Sequence, residues 1–306
     1  MKFMKKLAVF SVACLMGLTL AGCGGTGDES ITVYSRDASS GTREAFEKAN
    51  DMKGMLTDHA VTVDSNGDMA TKVGQDVNGF GYVSLSTDFE ANNIKALDYE
   101  GVTPTEESVL DGTYGMQRPF CYVTRADGDF TDERTQALVE AFIDYLCNST
   151  EGQQVVKNAG GIVDLDNTTP WAELKKNHPI VDEDNSDLTI RTAGSTSVEG
   201  SLKAALEAFQ AEAGQFQFTM NQSGSGDGYK RVLGEEKDGA NAADIGFASR
   251  NFEDGEDVSK ALISGQYCID AVVAVVSAEN ETVTNLTADQ IKGIYSGEIT
   301  AWSELK

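Results

Sequence analysis

The sequence predicts an α/β protein built from two similar lobes. Segments rich in β-forming residues alternate with amphipathic helical segments, an order typical of layered α/β folds. A strand, a loop of Ser, Thr and Gly, and a helix occur at 31–49 and again at 188–209. Each unit is followed by a segment of Gly, an aromatic residue, a small residue and Ser, at 81–84 and at 246–249. The repetition indicates two related halves.

The first half contains short strands rich in β-branched and aromatic residues. We predict strands over 31–35, 80–85, 94–97 and 120–124. We predict helices over 43–49 and 135–146, the latter because Leu138, Phe142 and Tyr145 share one helical face.

The second half repeats the alternation of strands and helices. Strands are predicted over 188–193, 216–220, 244–248 and 269–277, and helices over 198–209 and 288–295. The strand at 269–277 is almost continuously apolar, which predicts burial on both faces. Residues 164–187, with Pro170, Pro179 and many Asp and Asn, are predicted to form a surface linker between the halves.

Length and charge limit the classes of function. A chain of 306 residues is long enough for two domains or one two-lobed domain, and 40% hydrophobic residues is ordinary for a globular protein. Lys and Arg total 24 against 49 Asp and Glu, a formal net charge of −25. Such a surface repels phosphate backbones, so no nucleic-acid partner is expected.

The N-terminus has the pattern of a bacterial lipoprotein signal. Three lysines precede an apolar run at 7–20 that is too short to span a bilayer. The run ends in Leu-Ala-Gly-Cys, which resembles a lipobox, so we predict a signal peptide over 1–22, lipidation of Cys23 and a tether over 24–30. The protein would then sit on the extracytoplasmic face of the membrane, held by its lipid anchor only. The alternative is an ordinary signal peptide with a chance Cys.

No catalytic or metal-binding motif stands out. The sequence lacks G-x-S-x-G, the P-loop pattern and H-E-x-x-H, and its two histidines, His59 and His178, lie in polar stretches. Cys121, Cys147 and Cys268 show no metal-ligand spacing. We therefore predict no enzyme activity, no catalytic residue, no metal and no cofactor. Cys147 is predicted to lie in the core, and a bond between Cys121 and Cys268 is left open.

Three loops rich in Ser, Thr and Gly carry the functional signal. They lie at 39–42, 194–197 and 223–228, two of them between a strand and a helix. Hydroxyls and backbone N–H groups at a helix N-terminus form a ready anion site. Arg36, beside the first loop, adds a planar donor fork. A single loop of this kind is typical of a helix N-cap, but three together favour oxyanion binding.

The segments that carry these loops resemble phosphate-binding proteins of phosphate ABC transporters, the PstS type. They are SRDASSGTR at 35–43, AGSTSV at 193–198, SGSGDG at 223–228 and ADIGFASR at 243–250. Segments 79–84, 118–120 and 285–302 are also similar, so the resemblance covers nearly all of 31–306. Ala38 and Ser39 replace an acidic-Gly pair of the family, and Gly200 stands where Pro is frequent.

The order of the segments differs from the usual family order. The half at 31–163, which the family places second, precedes the half at 188–306. We therefore predict a circular permutant in which 164–187 joins the usual ends, with Ile31 close to Lys306. The alternative is a fragment of a tandem protein.

The resemblance implies an α/β, two-lobed periplasmic-binding-protein fold (type II-like), with the ligand in the inter-lobe cleft. Segments 120–124 and 269–277 would be the two crossover hinge strands. Lobe A would comprise 116–265, and lobe B would comprise 31–115 plus 266–306.

The resemblance also implies the site and the partners. Lobe B would contribute Arg36, Ser40, Gly41 and Thr42, and lobe A would contribute Thr196, Ser197, Ser225 and Asp244. Ionised Asp244 would accept a hydrogen bond from a protonated oxygen of bound phosphate. Sulfate has no such proton at neutral pH. The expected partners are inorganic phosphate and ABC permease subunits. The alternatives are another tetrahedral oxyanion, phosphate sensing without transport or, from another class, a secreted Ser-based hydrolase or phosphatase.

Overall fold

The computed structural model describes residues 30–305. The predicted signal peptide, the lipidation of Cys23 and most of the tether lie outside the described residues. No helix within 30–305 combines the length and the apolar character needed to cross a bilayer.

Eleven short or medium strands are present among the described residues. They are β1 (Thr32–Arg36), β2 (Val61–Val63), β3 (Gly79–Ser84), β4 (Ile94–Ala96), β5 (Asp98–Tyr99), β6 (Gln117–Thr124), β7 (Thr189–Gly194), β8 (Gln217–Gln222), β9 (Ile245–Ala248), β10 (Ser264–Ser277) and β11 (Asn285–Leu286). Every predicted strand has a counterpart among them, whereas β2 and the two-residue strands β5 and β11 are too short to show periodicity.

The helices begin mostly at capping side chains. They are α1 (Gly41–Ala49), α2 (Asn66–Gly74), α3 (Glu106–Leu110), α4 (Glu133–Asn148), α5 (Thr150–Asn158), α6 (Trp171–Leu174), α7 (Glu199–Glu212), α8 (Ser225–Lys230) and α9 (Ala288–Ser296). Asp132 Oδ1, for example, accepts from the Thr135 amide at 2.7 Å and fixes the start of α4. The prediction missed α2 and α5 because their sequences are mostly polar, and it also missed the short helices α3, α6 and α8.

The strands form one long sheet, and each end of the sheet is a group of parallel strands that we call a wing. The order is β2-β1-β3-β10-β6-β9-β7-β8, with β4 also paired to β10. In one wing β1 is parallel to β2 and β3, and in the other β7 is parallel to β8 and β9. The 14-residue strand β10 pairs antiparallel with β3 through its second half and with β6 through its first half. β6 and β10 therefore connect the two wings.

Each wing has its own apolar core. One core includes Phe46, Phe80 and Val273, and the other includes Phe142 and Phe209. Apart from Ile162, which packs in the first core, the change from one core to the other falls between Met116 and Phe120 and again between Cys268 and Ala271. We call the first wing lobe B and the second lobe A. The predicted α/β two-lobed fold class is confirmed, and the boundaries at 115/116 and 265/266 stay a prediction.

The segment at 164–187 is more than a surface linker. It contains α6 and short 3-10 helices, and it buries Trp171, Ile180 and Val181 in the core of lobe A. The expectation that it runs over the surface is wrong for these side chains. The reason is that Pro170 and Pro179 stand at helix starts, where a missing N–H is harmless, rather than marking irregular chain.

The two ends of the described chain meet in lobe B. The Ile31 amide donates to the Thr300 carbonyl at 2.7 Å, and Ser30 forms a β-bridge with Ala301. This is the neighbourhood in which a circular permutant would place its termini. Lys306 itself lies outside the described residues.

The three described cysteines are free thiols, so the bond left open between Cys121 and Cys268 is absent. Cys147 is partly buried against the lobe A core instead of lying within it. Burial raises the pKa of Cys121 to about 11 and that of Cys147 to about 12. Both groups are therefore protonated at neutral pH.

Candidate anion-binding site between the lobes

The lobe B wall of the site is the turn from β1 into α1. Ser40 caps the helix, and its Oγ accepts from the Arg43 amide at 3.3 Å. Gly41 and Thr42 form the first turn and are buried. Because first-turn amides have no partner within their own helix, this turn presents donors and partial positive charge.

Arg36 lies at the end of β1 and is almost fully buried, with 1% of its surface exposed. Its Nη1 donates to Thr196 Oγ1 and its Nη2 to the Asp64 carbonyl, both at 3.1 Å. Its Nε is buried without a hydrogen-bond partner among the described residues. Burial lowers the pKa of Arg36 and nearby Asp37 partly counters this, but the guanidinium stays charged.

The lobe A wall faces this turn with hydroxyls. Thr196 Oγ1 accepts from both Arg36 Nη1 and the Asn66 amide, the latter at 3.2 Å. Its two lone pairs are thus occupied, and its own proton is left to donate. Ser197 Oγ lies 2.8 Å from Thr42 Oγ1 across the cleft.

A second lobe A loop closes against Gly41. Ser225 begins α8, and its Oγ accepts from the Ser249 amide at 3.0 Å. A Cβ at position 41 would lie 2.8 Å from Ser225 Cβ and 3.1 Å from Ser249 Oγ. The structure therefore brings together seven predicted site residues: Arg36, Ser40, Gly41, Thr42, Thr196, Ser197 and Ser225.

Asp244 does not join them, so its predicted role as the acceptor of a ligand proton is wrong. It precedes β9, whereas Ser249 follows the other end of that strand, roughly 16 Å away at about 3.3 Å per residue. The buried carboxylate accepts from Arg191 N at 2.8 Å, Nε at 3.1 Å and Nη2 at 2.6 Å. The ion pair between Asp244 and Arg191 thus connects the start of β9 to β7.

Replacing Asp244 by Asn is expected to lower the free energy of unfolding by about 1–3 kcal/mol, since charge-assisted bonds to Arg191 are lost. The preference for phosphate over sulfate should not change. Urea unfolding and calorimetry measure the two effects. Asp187→Asn, which alters an exposed pair with Arg134, is the control and should shift stability by less than about 0.5 kcal/mol. A narrowed anion preference in the Asp244 variant would return Asp244 to the site.

The sequence analysis did not predict four residues that contact the site residues or their partners: Asn66, Arg118, Ser249 and Asp270. Arg118 and Asp270 form a buried ion pair between β6 and β10. A usable signal was present, because Asp270 is a charge within an apolar predicted strand, and a buried charge requires a partner.

A cavity of about 710 Å³ opens beside the site, between α1 and the loop at 250–255. At its wall an ion pair crosses the cleft, with Arg250 Nε 2.6 Å from Glu44 Oε2. Burial raises the pKa of Glu44, and Arg250 counters that effect. The lobes therefore meet through charged as well as hydroxyl groups.

The fold and the cleft define the class of protein. The family model of the PBP superfamily domain matches residues 179–306. A crystal structure of a phosphate-binding protein of a phosphate ABC transporter from Streptococcus pneumoniae TIGR4 aligns with a TM-score of 0.62 at 27% identity. The alignment covers 90% of this chain and 100% of that chain. The chain thus has the α/β, PBP-like fold of that phosphate-binding protein.

Curated relatives narrow the class. The chain is 31% identical to phosphate-binding protein PstS 2 of Streptococcus agalactiae serotype V over 100% of this chain and 99% of the relative. It is 29% identical to PstS 2 of Streptococcus pneumoniae serotype 4 over 100% of both chains. The chain belongs to the PstS family of phosphate-binding proteins.

The extent of these matches also bears on the order of the segments. Matches over the full length mean that the two PstS 2 proteins carry the segments in the order found here. PstS of Bacillus subtilis strain 168 aligns over 44% of this chain and 42% of its own length, at 28% identity. Circular permutation relative to other members of the family stays a prediction.

Proposed function

We propose that the protein captures inorganic phosphate in the cleft between its lobes and delivers it to the permease subunits of a phosphate ABC transporter. The observation that carries the proposal is the buried guanidinium of Arg36, which has an unpartnered Nε and donates from Nη1 to Thr196 of the other lobe. Relatives that match the whole chain are named phosphate-binding proteins.

The chemistry of the cleft suits a tetrahedral oxyanion. A desolvated anion requires a donor for nearly every lone pair, because an unpaired buried charge is very costly. Arg36 supplies one full charge, the amides at the start of α1 supply partial charge, and Thr42, Thr196, Ser197 and Ser225 supply hydroxyls. Several of these groups bond one another across the closed cleft, so an entering ligand would replace those bonds with its own.

Calorimetry with phosphate, arsenate, sulfate and molybdate tests the ligand class. We expect one phosphate per chain, arsenate binding comparable to phosphate because it has the same shape and protonation, and weaker sulfate binding. Tighter binding of sulfate or molybdate would favour the alternative of another oxyanion. Release of phosphate from a phosphomonoester by the same sample would favour a phosphatase instead. Phosphate binding without phosphate uptake by cells that carry the permease would favour a sensor.

We propose that Cys23 is acylated and holds the protein on the extracytoplasmic face of the membrane. Cys23→Ser removes the thiol that would carry the lipid, so the variant should lose the lipid and appear in the medium or the soluble fraction. Cell fractionation and mass spectrometry of the mature N-terminus measure this. Cys14→Ser, within the predicted signal peptide, is the control and should leave the anchor intact. A Cys23→Ser protein that stays membrane-bound would contradict the proposal.

A further inference from the structure

A buried ion pair joins the two strands that connect the lobes. Arg118 on β6 lies directly opposite Asp270 on β10, and both side chains are at most 2% exposed. Arg118 Nε and Nη2 donate to Asp270 Oδ2 at 2.9 and 2.7 Å. Asp270 Oδ1 accepts from Ser84 Oγ at 2.8 Å. Asp270 thus fixes one edge of the guanidinium.

The third nitrogen of the Arg118 guanidinium, Nη1, points toward the anion site. Nη1 donates to Thr42 Oγ1 at 2.8 Å, and Thr42 Oγ1 lies 2.8 Å from Ser197 Oγ. A guanidinium can only donate, so Thr42 Oγ1 must accept from it. This bond polarises the Thr42 hydroxyl and favours donation of its proton to Ser197. Ser197 is then free to direct its own proton into the cleft.

We propose that Arg118 is a positioning residue that acts through the Thr42 hydroxyl to set the Ser197 hydroxyl as a donor toward the bound anion. The proposal rests on the proposed function of the cleft. It assigns to the connecting strands a role beyond that of a hinge, because the charge pair between them fixes hydrogen-bond direction at the site. Arg118 acts through Thr42 and contributes no ligand contact of its own in this scheme.

A double-mutant cycle tests this route. Arg118→Lys keeps the charge for Asp270 but loses the fork that reaches Thr42, and it should weaken phosphate binding about tenfold or more, as expected for losing a charge-assisted bond. In a Thr42→Val background the same change should have less than a twofold effect. In a Thr42→Ser background, which restores the hydroxyl, the loss should return.

The outcomes separate this proposal from the proposed function. Wild-type protein that fails to bind phosphate overturns the proposed function itself. When wild type binds phosphate, two results overturn the role of Arg118. One is that Arg118→Lys lowers phosphate affinity equally in the wild-type and Thr42→Val backgrounds. The other is that it lowers affinity in neither background. The cycle is repeated with a double variant, Arg118→Gln combined with Asp270→Asn, in place of Arg118→Lys. Because both charges are removed together, no unpaired charge stays buried. The test therefore does not depend on whether Arg118→Lys folds. Thermal unfolding verifies each variant.

Discussion

Replacing Arg36 by Gln is expected to weaken phosphate binding by about 100-fold or more. The guanidinium is the buried cation at the centre of the proposed site, and removing one partner of a desolvated, charge-assisted contact costs about 2–5 kcal/mol. Gln is polar but shorter than Arg, and it has neither the charge nor the planar fork. Titration calorimetry measures the loss, and melting temperature shows whether the variant is folded.

Arg134→Gln is the matched control for this experiment. The Arg134 guanidinium is 41% exposed on lobe A and pairs with Asp187 at 2.9 Å. Because exposed ion pairs contribute little to stability, the phosphate affinity of the Arg134→Gln variant should stay within about twofold of wild type. An Arg36→Gln protein that binds phosphate within fivefold of wild type would place the site elsewhere on the molecule.

Gly41→Ala is expected to weaken phosphate binding at least about tenfold by holding the lobes apart. The added Cβ would lie 2.8 Å from Ser225 Cβ and 3.1 Å from Ser249 Oγ, and such contacts force the neighbours to move. Position 41 begins α1 and Ser225 begins α8, so the clash sets two helix starts against each other. Closure of the cleft, which brings the donors of both lobes to one anion, should be opposed.

Gly200→Ala separates this effect from a general consequence of losing a glycine. A Cβ at position 200 in α7 meets nothing within 4 Å. The substitution should leave phosphate affinity unchanged and raise the free energy of unfolding by about 0.4–1 kcal/mol. Calorimetry and urea unfolding measure both variants. Unchanged affinity in Gly41→Ala would mean that the lobes do not close at this point when the anion binds.

The local pattern determined most of the fold and much of the candidate site. Period-two and helical patterns located the main strands and the longer helices within a few residues. The local pattern located the Ser/Thr/Gly loops, because a strand, such a loop and a helix form a unit whose donors depend on neighbouring residues. Ser40, for example, caps α1 three residues before the amide that it accepts from. The individual site residues in those loops were implied by the resemblance to the family.

The tertiary structure decided what depends on pairing between distant parts of the chain. Asp244 matched a family segment, but its partner Arg191 is 53 residues away, and pairing of β7 with β9 removes Asp244 from the cleft. Arg118 meets Asp270 across 152 residues, and Thr42 meets Ser197 across 155. A carboxylate or hydroxyl has the same local pattern whether it faces a ligand or an internal partner. Its role is fixed by the group that strand pairing and lobe closure bring against it, because a buried polar group must satisfy its hydrogen bonds with whatever lies within reach.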